Sequence, residues 1–305
     1  MCSSEPRTYE EFGWTVTPLT GTFGAELSGR NLRDEEGGDN VRTLLERHLV
    51  LSFRGQNLTH AEQSRIAHAM GEPTPAHPVV PGHPDYPEML VLDGALGGKN
   101  ARWHTDVTFI ETPPAISILV NDHTPVAGGD TLWSDTRAAY ERLHPALRET
   151  FEQLQAVHRI SPLAYWGEPF DTALSREDTQ YLYDEAQKVP PVAHPVVRRH
   201  PSTGRPSLFV NPGFTSHLTG VSRIESDHLL KLLYEHMAQP ELTLRHHWLD
   251  GDVVMWDNRA TMHYATDDYG TAERRMRRIT LRGTKPVGIR GTESYVVTDP
   301  LESVR

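Results

Sequence analysis

His104 and Asp106 are the residues whose types and spacing first point to chemistry. They stand one residue apart in the run Trp103-His-Thr-Asp-Val-Thr-Phe109, which is rich in the β-branched and aromatic residues that favour strands. On a strand, residues i and i+2 face the same side and lie close enough to bind one small cation. We therefore predict a strand over Thr105–Ile110 and two ligands of a metal ion.

His263 is the predicted third ligand. It follows the turn Leu249–Asp252 and the apolar strand Val253–Trp256, far along the chain from the first two ligands. In a double-stranded barrel, a histidine from the opposite side completes a set of two histidines and one carboxylate. That set occupies one face of an octahedral ion and suits Fe(II), and it leaves the other face open to dioxygen and a chelating cosubstrate.

Simpler interpretations of these residues are available. The chain has 17 histidines, so a His-x-Asp pair by itself is more often a solvent-facing pair or a structural hydrogen bond. His263 by itself is equally compatible with a turn. Other histidines are weaker candidates, because His246 and His247 are neighbours that face opposite sides of a strand, and His194 precedes a proline.

The composition of the chain excludes several classes of protein. With 41 acidic and 30 basic residues, its formal net charge of −11 disfavours nucleic acid and anionic membranes as partners. Cys2 is the only cysteine, which excludes an intrachain disulfide, a cysteine-based zinc site and an iron–sulfur cluster. The sequence has neither the apolar core of a signal peptide nor a run of about 20 apolar residues. We expect a cytoplasmic protein with a small-molecule substrate, and a homo-oligomer is compatible with these features.

The strand pattern favours an antiparallel, mainly β architecture. Strands and helices do not alternate as they do in a parallel sheet, and hairpin-like turns occur at 127–130, 200–204 and 250–251. Besides the segment after His104, the predicted strands are Trp14–Pro18, Leu49–Phe53, Met89–Leu92, Ala115–Val120, Thr131–Ser134, Pro195–Arg199, Ser207–Val210, Leu242–Trp248, Val253–Trp256 and Arg277–Leu281.

Two capping boxes predict helices on the outside of this β structure. Thr59-x-x-Glu62 and Ser222-x-x-Glu225 each place a hydroxyl and a carboxylate where they satisfy the free N–H groups of a helix start. A further helix is predicted from Asp135, with a kink at Pro145 and an end at Leu154. No linker is evident, so we expect residues 1–305 to form a single domain.

The chain resembles the taurine dioxygenase family of Fe(II)- and 2-oxoglutarate-dependent oxygenases along nearly its whole length. The motifs that carry the resemblance are, in order, Pro18–Gly29, Ala76–Pro81, Trp103–Pro114, Gly128–Trp133, Trp256–Tyr264 and Arg274–Arg278. The resemblance implies a double-stranded β-helix, which is a cupin-like jelly roll, with flanking helices. It also implies that His104, Asp106 and His263 are the catalytic iron ligands.

The same resemblance implies that 2-oxoglutarate binds through Thr131 and Arg274, with O₂ as the other cosubstrate. A guanidinium presents a fork of donors that matches a carboxylate, and a hydroxyl adds one more hydrogen bond. A turn through Asp267–Gly270 can return Arg274 to the metal. The basic run around it is otherwise typical of a solvated strand, and we expect Arg275 and Arg277 to alternate to the exposed face.

Substrate recognition is the least determined part of the resemblance. His77 and Arg278 match the residues that meet a sulfonate, and a buried anion of this kind needs paired, hydrogen-bonded charges. Asn100, Val107 and Phe214 match other positions of the substrate pocket.

The substrate pocket also departs from the taurine pattern. Val80 replaces a tyrosine, and Leu163 and Ala164 replace a serine and a phenylalanine. The segment 161–191, which we expect to be a variable lid, matches poorly. We therefore expect taurine itself to be a poor substrate.

We predict a dioxygenase that oxidises a C–H bond of a small anionic substrate, an alkyl sulfonate or sulfate ester, and yields succinate and CO₂. The alternative is a hydroxylase or desaturase of a specialised metabolite that carries a carboxylate or phosphonate. More distant alternatives are a zinc hydrolase, which has no need of the Thr131 and Arg274 pair, and a non-catalytic jelly-roll binding protein.

Overall fold

An eight-stranded sheet forms one wall of the fold in the computed structural model, which describes residues 8–35, 37–93, 101–160 and 176–298. The strands within these ranges are β1 (Tyr9–Glu11), β2 (Trp14–Pro18), β3 (Ala25–Ser28), β4 (Val50–Phe53), β5 (Met89–Asp93), β6 (Ile116–His123), β7 (Thr131–Asp135), β8 (Gln155–His158), β9 (Val192–Pro195), β10 (Val197–Arg199), β11 (Pro206–Leu208), β12 (Thr215–Leu218), β13 (Thr243–His246), β14 (Val253–Asp257), β15 (Thr261–Ala265), β16 (Arg275–Leu281) and β17 (Tyr295–Val296). The α-helices are α1 (Asp39–His48), α2 (His60–Met70), α3 (Thr136–Arg142), α4 (Pro145–Phe151), α5 (Arg176–Gln187) and α6 (Arg223–Met237).

The sheets have the order expected of a double-stranded β-helix. In the large sheet the order is β1-β2-β3-β4-β14-β6-β16-β5, and its neighbouring strands are antiparallel except for β3 and β4. Smaller sheets in the described ranges have the orders β13-β7-β15, β12-β8-β9-β17 and β10-β11. The predicted mainly β fold with flanking helices is confirmed.

Alternation along β14 shows that the large sheet is covered on both faces. Val253 and Met255 belong to the core that α1 and α2 cover, whereas Val254 and Trp256 face the other way. Trp256 packs against Trp133 of β7, with ring centroids 5.6 Å apart. The inner core therefore lies between the large sheet and the β13-β7-β15 sheet, and it is this inner side that carries the candidate site.

The helix starts follow the predicted capping boxes. Thr59 caps α2 and Ser222 caps α6, and in each the carboxylate of the glutamate three residues later accepts a hydrogen bond from the backbone N–H of the cap residue. The predicted kinked helix is wrong in detail, because α3 and α4 are separate. Leu143 is extended, and Pro145 starts α4 at a position where its missing N–H costs nothing.

The predicted strand over Thr105–Ile110 is wrong. His104 makes an isolated antiparallel bridge to His263, but the chain then turns over residues 106–109. Val107 has φ 52°, in the left-handed region that a β-branched residue rarely adopts. Such a residue cannot continue a strand ladder, so strand periodicity does not describe how Asp106 is oriented.

Arg277 is also not the surface residue that its sequence pattern indicates. Its side chain is buried, donates to Asp122 at 2.8 Å and donates to the carbonyl of Leu58 at 2.6 Å. Arg277 does alternate to the opposite face from Arg278, but α2 covers that face, where Gln63 donates to the Arg277 carbonyl. Arg275, at the start of the strand, is exposed as predicted.

Parts of the predicted site and lid lie outside the described residues. These are Asn100 and residues 161–175, which include Leu163 and Ala164. The later part of the segment expected to form a lid contains α5. In the ranges that are described, no helix combines the length and apolarity that crossing a membrane requires.

Candidate active site

His104, Asp106 and His263 converge on one point, as predicted. Their ligand atoms lie within 4.8 Å of one another, and all three residues are buried. Nε2 of each histidine lies 3.9 Å from Oδ1 of Asp106, and the two ring centroids are 4.0 Å apart. This spacing allows one ion to accept a bond from each residue on a single face.

Backbone pairing holds the two histidines together. The N–H of His104 donates to the carbonyl of His263 at 2.9 Å, and the N–H of His263 donates back at 2.7 Å. β15 pairs in turn with β7, which places His263 opposite Trp133. The backbone of Gly213 packs closely against His104, since a Cβ at position 213 would lie 2.8 Å from the Cβ of His104.

The protonation states of the three residues suit a divalent cation. Burial lowers the pKa of His104 and lowers that of His263 well below the usual value, so both rings are neutral at pH 7. His104 donates its Nδ1 hydrogen to the carbonyl of Arg102 at 2.9 Å, which leaves the Nε2 lone pair for a metal. Burial alone would raise the pKa of Asp106, but the charge of Arg278 lowers it to about 2, and the hydrogen bond from Ser117 acts in the same direction.

A chain of hydrogen bonds orients the Asp106 carboxylate. Ser117 donates to its Oδ2 at 2.6 Å, Asn258 donates to the Ser117 hydroxyl at 2.7 Å, and Trp256 donates to Asn258 at 2.9 Å. Sequence patterns do not identify Ser117, because one serine on an apolar strand carries no motif. Asn258 and Trp256 do fall within the motif that also contains His263.

Arg278 lies next to the ligand set. Its Nη1 donates to Oδ1 of Asp106, and the residue is buried. Its Nε is buried and has no hydrogen-bond partner among the described residues. Arg278 thus brings a positive charge to the metal site and keeps donor capacity for an anion.

Arg274 presents a second buried cation. Its Nε donates to the carbonyl of Gly129 at 3.1 Å, its guanidinium lies over the ring of Tyr269, and no ion pair joins it to a carboxylate of the described residues. Burial lowers the pKa of this guanidinium. An unpaired buried charge is costly, so a carboxylate ligand would stabilise it.

Thr131 follows Gly129 by two residues and supplies a directed hydroxyl. Trp248 donates to the Thr131 oxygen at 2.9 Å, which leaves the hydroxyl hydrogen free to donate to a ligand. The hydroxyl of Thr131 and the guanidinium of Arg274 are both donors of the kind that a carboxylate of a keto acid accepts from. Trp248 cannot be identified from the sequence, because a single tryptophan near a turn carries no motif.

Apolar side chains line the opposite side of the site. Val107 and Phe214 belong to one buried cluster, whose other described members are Val79, Phe109, Ile160 and Ala186, with Val80, Ile110 and Val189 packed against it. His104 contacts Phe214 edge-on at 6.1 Å, so the cluster adjoins the ligand set. Ala186 belongs to α5, and this helix therefore covers the cluster.

His77 lies at the edge of this apolar cluster and is neutral. Its Nδ1 accepts from the N–H groups of Val79 and Val80, both at 3.1 Å, so the ring hydrogen is on Nε2. Burial, with the charge of Arg278 adding to it, lowers the pKa of His77 to about 3. His77 is thus a neutral donor, and Arg278 carries the positive charge beside it.

The fold and the site together define a double-stranded β-helix with a facial set of two histidines and one carboxylate. A family model described as taurine catabolism dioxygenase TauD, TfdA family, matches residues 15–280. The chain is 41% identical over 286 residues to an alpha-ketoglutarate-dependent sulfate ester dioxygenase of Pseudomonas putida, covering 90% of this chain and 92% of that protein.

Solved structures agree with this match. A taurine dioxygenase from Burkholderia xenovorans superimposes with a TM-score of 0.79 at 36% identity, covering 95% of this chain and 97% of that one. AAD-2 in complex with Mn(II) and N-oxalylglycine gives a TM-score of 0.74 at 30% identity, covering 90% and 98%. The chain belongs to the TauD/TfdA family.

The protein is therefore a 2-oxoglutarate-dependent non-haem iron dioxygenase, with Fe(II) as its metal and 2-oxoglutarate and O₂ as cosubstrates. The donor set fits that metal, since neutral imidazoles and an ionised carboxylate suit Fe(II). The buried Arg274, which no carboxylate of the described residues pairs with, fits a dicarboxylate. These relatives give no support to a zinc hydrolase or to a non-catalytic binding protein.

Proposed function

We propose that this dioxygenase cleaves alkyl sulfate esters, with residues 1–305 acting as one domain. His104, Asp106 and His263 hold Fe(II), and Arg274 with Thr131 holds the distal carboxylate of 2-oxoglutarate. Bound together, iron and 2-oxoglutarate supply the oxidant that is made from O₂. The observation that carries the substrate proposal is the buried guanidinium of Arg278, which bonds to Asp106 in a ligand set that an apolar wall adjoins.

Arg278 and His77 hold the sulfate group in this proposal. Arg278 directs its charge at the anion, and His77 donates its Nε2 hydrogen without adding a second charge. Asn100, predicted to contribute to the same pocket, lies outside the described residues. A single charge compensates the single negative charge of a sulfate monoester and orients its ester carbon towards the metal.

The apolar wall holds the alkyl chain. Val107 and Phe214 line it next to the metal, and Ala186 closes it from α5. Burial of each methylene contributes about 0.8 kcal/mol, so a longer chain binds more tightly than a short one. The described members of the wall carry no carboxylate, so the ammonium group of taurine would be buried without a counter-charge.

The reaction oxidises the carbon that bears the ester oxygen. One oxygen atom of O₂ enters that C–H bond as hydroxyl, and the other enters succinate as 2-oxoglutarate loses CO₂. The resulting geminal hydroxy sulfate ester breaks its C–O bond to sulfate. The products are an aldehyde, hydrogen sulfate, succinate and CO₂, which balances the substrate, 2-oxoglutarate and O₂.

A substrate panel tests this proposal. Butyl to octyl sulfates, the matching sulfonates, alkyl phosphonates, aliphatic carboxylates and taurine are compared by substrate-dependent succinate formation, with aldehyde and sulfate measured separately. We expect the alkyl sulfates to give the highest kcat/KM and sulfate in a one-to-one ratio with succinate. A carboxylate or phosphonate as the best substrate, without sulfate release from any ester, would refute it.

Arg278→Lys and Arg275→Ala form a matched pair for the same assay. The lysine keeps a charge beside Asp106 but loses the guanidinium fork, so KM for the best alkyl sulfate should rise while Mn(II) still binds. Arg275 is exposed on the same strand, and its removal should leave KM unchanged. An unchanged KM in the Arg278→Lys variant would contradict the assigned role of Arg278.

A further inference from the structure

The turn that carries Asp106 has few backbone bonds of its own. Among the described residues, the N–H of Ile110 is the one backbone donor of residues 105–110 that hydrogen-bonds to another backbone group. It donates to the carbonyl of Val107 over a long distance of 3.4 Å. Val107, the residue after Asp106, has φ 52°. A β-branched residue keeps such a conformation only where its surroundings impose it.

The side chains that impose this conformation contact Thr108, which follows Val107 in the chain. The Thr108 hydroxyl bonds to Nδ1 of His158 at 2.9 Å and accepts from the amide of Asn211 at 3.1 Å. The Thr108 carbonyl accepts from Nε2 of His194 at 2.8 Å. The other nitrogen of His194 bonds to the hydroxyl of Ser294 at 2.7 Å. Every member of this group is at most 1% exposed.

The group is supported by one sheet and one ring. His158 ends β8 and His194 lies on the neighbouring β9, so the β12-β8-β9-β17 sheet carries both histidines. Phe209 packs against both, with centroid distances of 5.9 and 5.4 Å. A pair of buried histidines costs desolvation that aliphatic residues would avoid, so their hydrogen bonds to Thr108 have to offset it.

The contacts of Thr108 anchor the chain after Asp106, and a hydrogen bond of Thr105 forms a second anchor before Asp106. The Thr105 hydroxyl donates to the carbonyl of Thr261 at 2.7 Å, on the strand that carries His263. The metal-binding carboxylate therefore sits between one anchor on β15 and one on the β8–β9 pair. Both anchors act on neighbours of Asp106 rather than on its side chain.

We propose that Thr108, His158, His194 and Asn211 are positioning residues, which fix the strained turn so that the Asp106 carboxylate is preorganised for the metal. The inference rests on the proposed metal role of Asp106. None of the four touches the ligand atoms. Groups that orient metal ligands typically contribute about ten- to a hundredfold in affinity, and this more distant group is expected at about tenfold.

Metal binding to Thr108 variants tests the proposal. Thr108→Val keeps the volume and removes the hydroxyl, Thr108→Ser restores the hydroxyl, and His158→Phe removes one partner while keeping the contact with Phe209. Ser207→Ala is the control, because it removes a buried hydroxyl bond, 2.9 Å to the Arg259 carbonyl, elsewhere in the core. Mn(II) affinity is measured calorimetrically, beside Tm of the metal-free protein.

We expect Thr108→Val and His158→Phe to weaken Mn(II) binding about tenfold, Thr108→Ser to restore it, and Ser207→Ala to lower Tm without changing affinity. His104→Ala, measured in parallel, separates two kinds of failure. If the wild type does not bind Mn(II), or binds it as His104→Ala does, the proposed metal site fails. If only His104→Ala weakens Mn(II) binding, the proposed metal site stands and the positioning role is overturned. If Thr108→Val does not fold, the Mn(II) affinity of His158→Phe decides whether the positioning role holds.

Discussion

In the proposed site, each of the three metal ligands would contribute one of only three protein bonds to the ion. We predict that His104→Ala, Asp106→Ala and His263→Ala each abolish tight Mn(II) and Fe(II) binding and turnover, while the circular dichroism spectrum stays native. His123→Ala serves as the control, since that histidine is exposed. Wild-type metal affinity in the Asp106→Ala variant would contradict the assignment.

Thr131 and Arg274, which form the proposed keto-acid clamp, should bind 2-oxoglutarate with different strength, because only Arg274 is charged. A hydrogen bond to a charged group contributes about 1.5–3 kcal/mol and a neutral one about 1 kcal/mol. Arg274→Ala should therefore raise KM for 2-oxoglutarate by about ten- to a hundredfold, and Thr131→Ala by about fivefold. Equal and small increases in KM for the two variants would count against the clamp. The control Arg282→Ala, at an exposed position, should leave KM for 2-oxoglutarate unchanged.

Several residues of the site could be predicted from the sequence, and others could not. The three ligands, Thr131 and Arg274 are recognisable because their motifs stand in a specific order. Ser117 and Trp248 are not, because each acts through one hydrogen bond to a residue distant in the chain. Asp106 lies beside the two histidines as predicted, although the strand that suggested this placement is absent.

At the scale of elements, the turn between β6 and β7 determines the position of Arg274. Gly129 has φ 71°, and a Cβ there would lie 3.1 Å from Cδ and Nε of Arg274. Gly129→Ala should therefore raise KM for 2-oxoglutarate as well as lower Tm. Gly204 has the same φ of 71° with nothing within 4 Å of a Cβ, so Gly204→Ala carries only the backbone penalty.

Comparison of the two glycine variants isolates the contact from the strain. Both should lose Tm, but only Gly129→Ala should change the 2-oxoglutarate requirement at constant kcat. A similar change in KM in both variants, or in neither, would show that Gly129 does not position Arg274.

Elements with local chemistry are predictable, and elements defined by long-range pairing are not. Both capping boxes predict helices correctly, since hydroxyl and carboxylate lie within one turn of each other. β15, which holds His263, has no distinctive pattern and is defined by its partner β7. Arg277 shows the same limit, because alternation gives its face but not the helix that covers it.

At the scale of the whole molecule, a buried ion cluster joins β14 to the β10–β11 hairpin. Asp257 accepts from Arg259 at 2.6 Å and contacts His200, which follows β10, at 3.0 Å. Burial alone would raise the pKa of Asp257, but these partners hold it far below its usual value. A carboxyl of this kind stabilises the fold at a pH above its unfolded pKa, and that stability is lost as the pH falls.

We predict that Asp257→Asn lowers the free energy of unfolding at pH 7 by about 3–5 kcal/mol, because it leaves the buried guanidinium of Arg259 without the Asp257 carboxylate. The difference from wild type should shrink as the pH falls below the usual carboxyl pKa of about 4, where the unfolded wild type takes up a proton. Urea unfolding at several pH values measures this. The control Asp227→Asn, which removes an exposed ion pair with Arg223, should change the free energy of unfolding little. If the difference between Asp257→Asn and the wild type is the same at all pH values, the stabilising role of the Asp257 carboxylate is excluded.

The hydrogen-bonded bridge between His104 and His263 has a consequence for the order of events during folding. The two residues come from distant parts of the chain, so closing the loop between them costs entropy that local contacts do not offset. A partly folded chain holds His104 and Asp106 near each other but not yet His263. We therefore expect the metal ion to have little effect on the folding rate. It should bind the folded protein and mainly lower the unfolding rate.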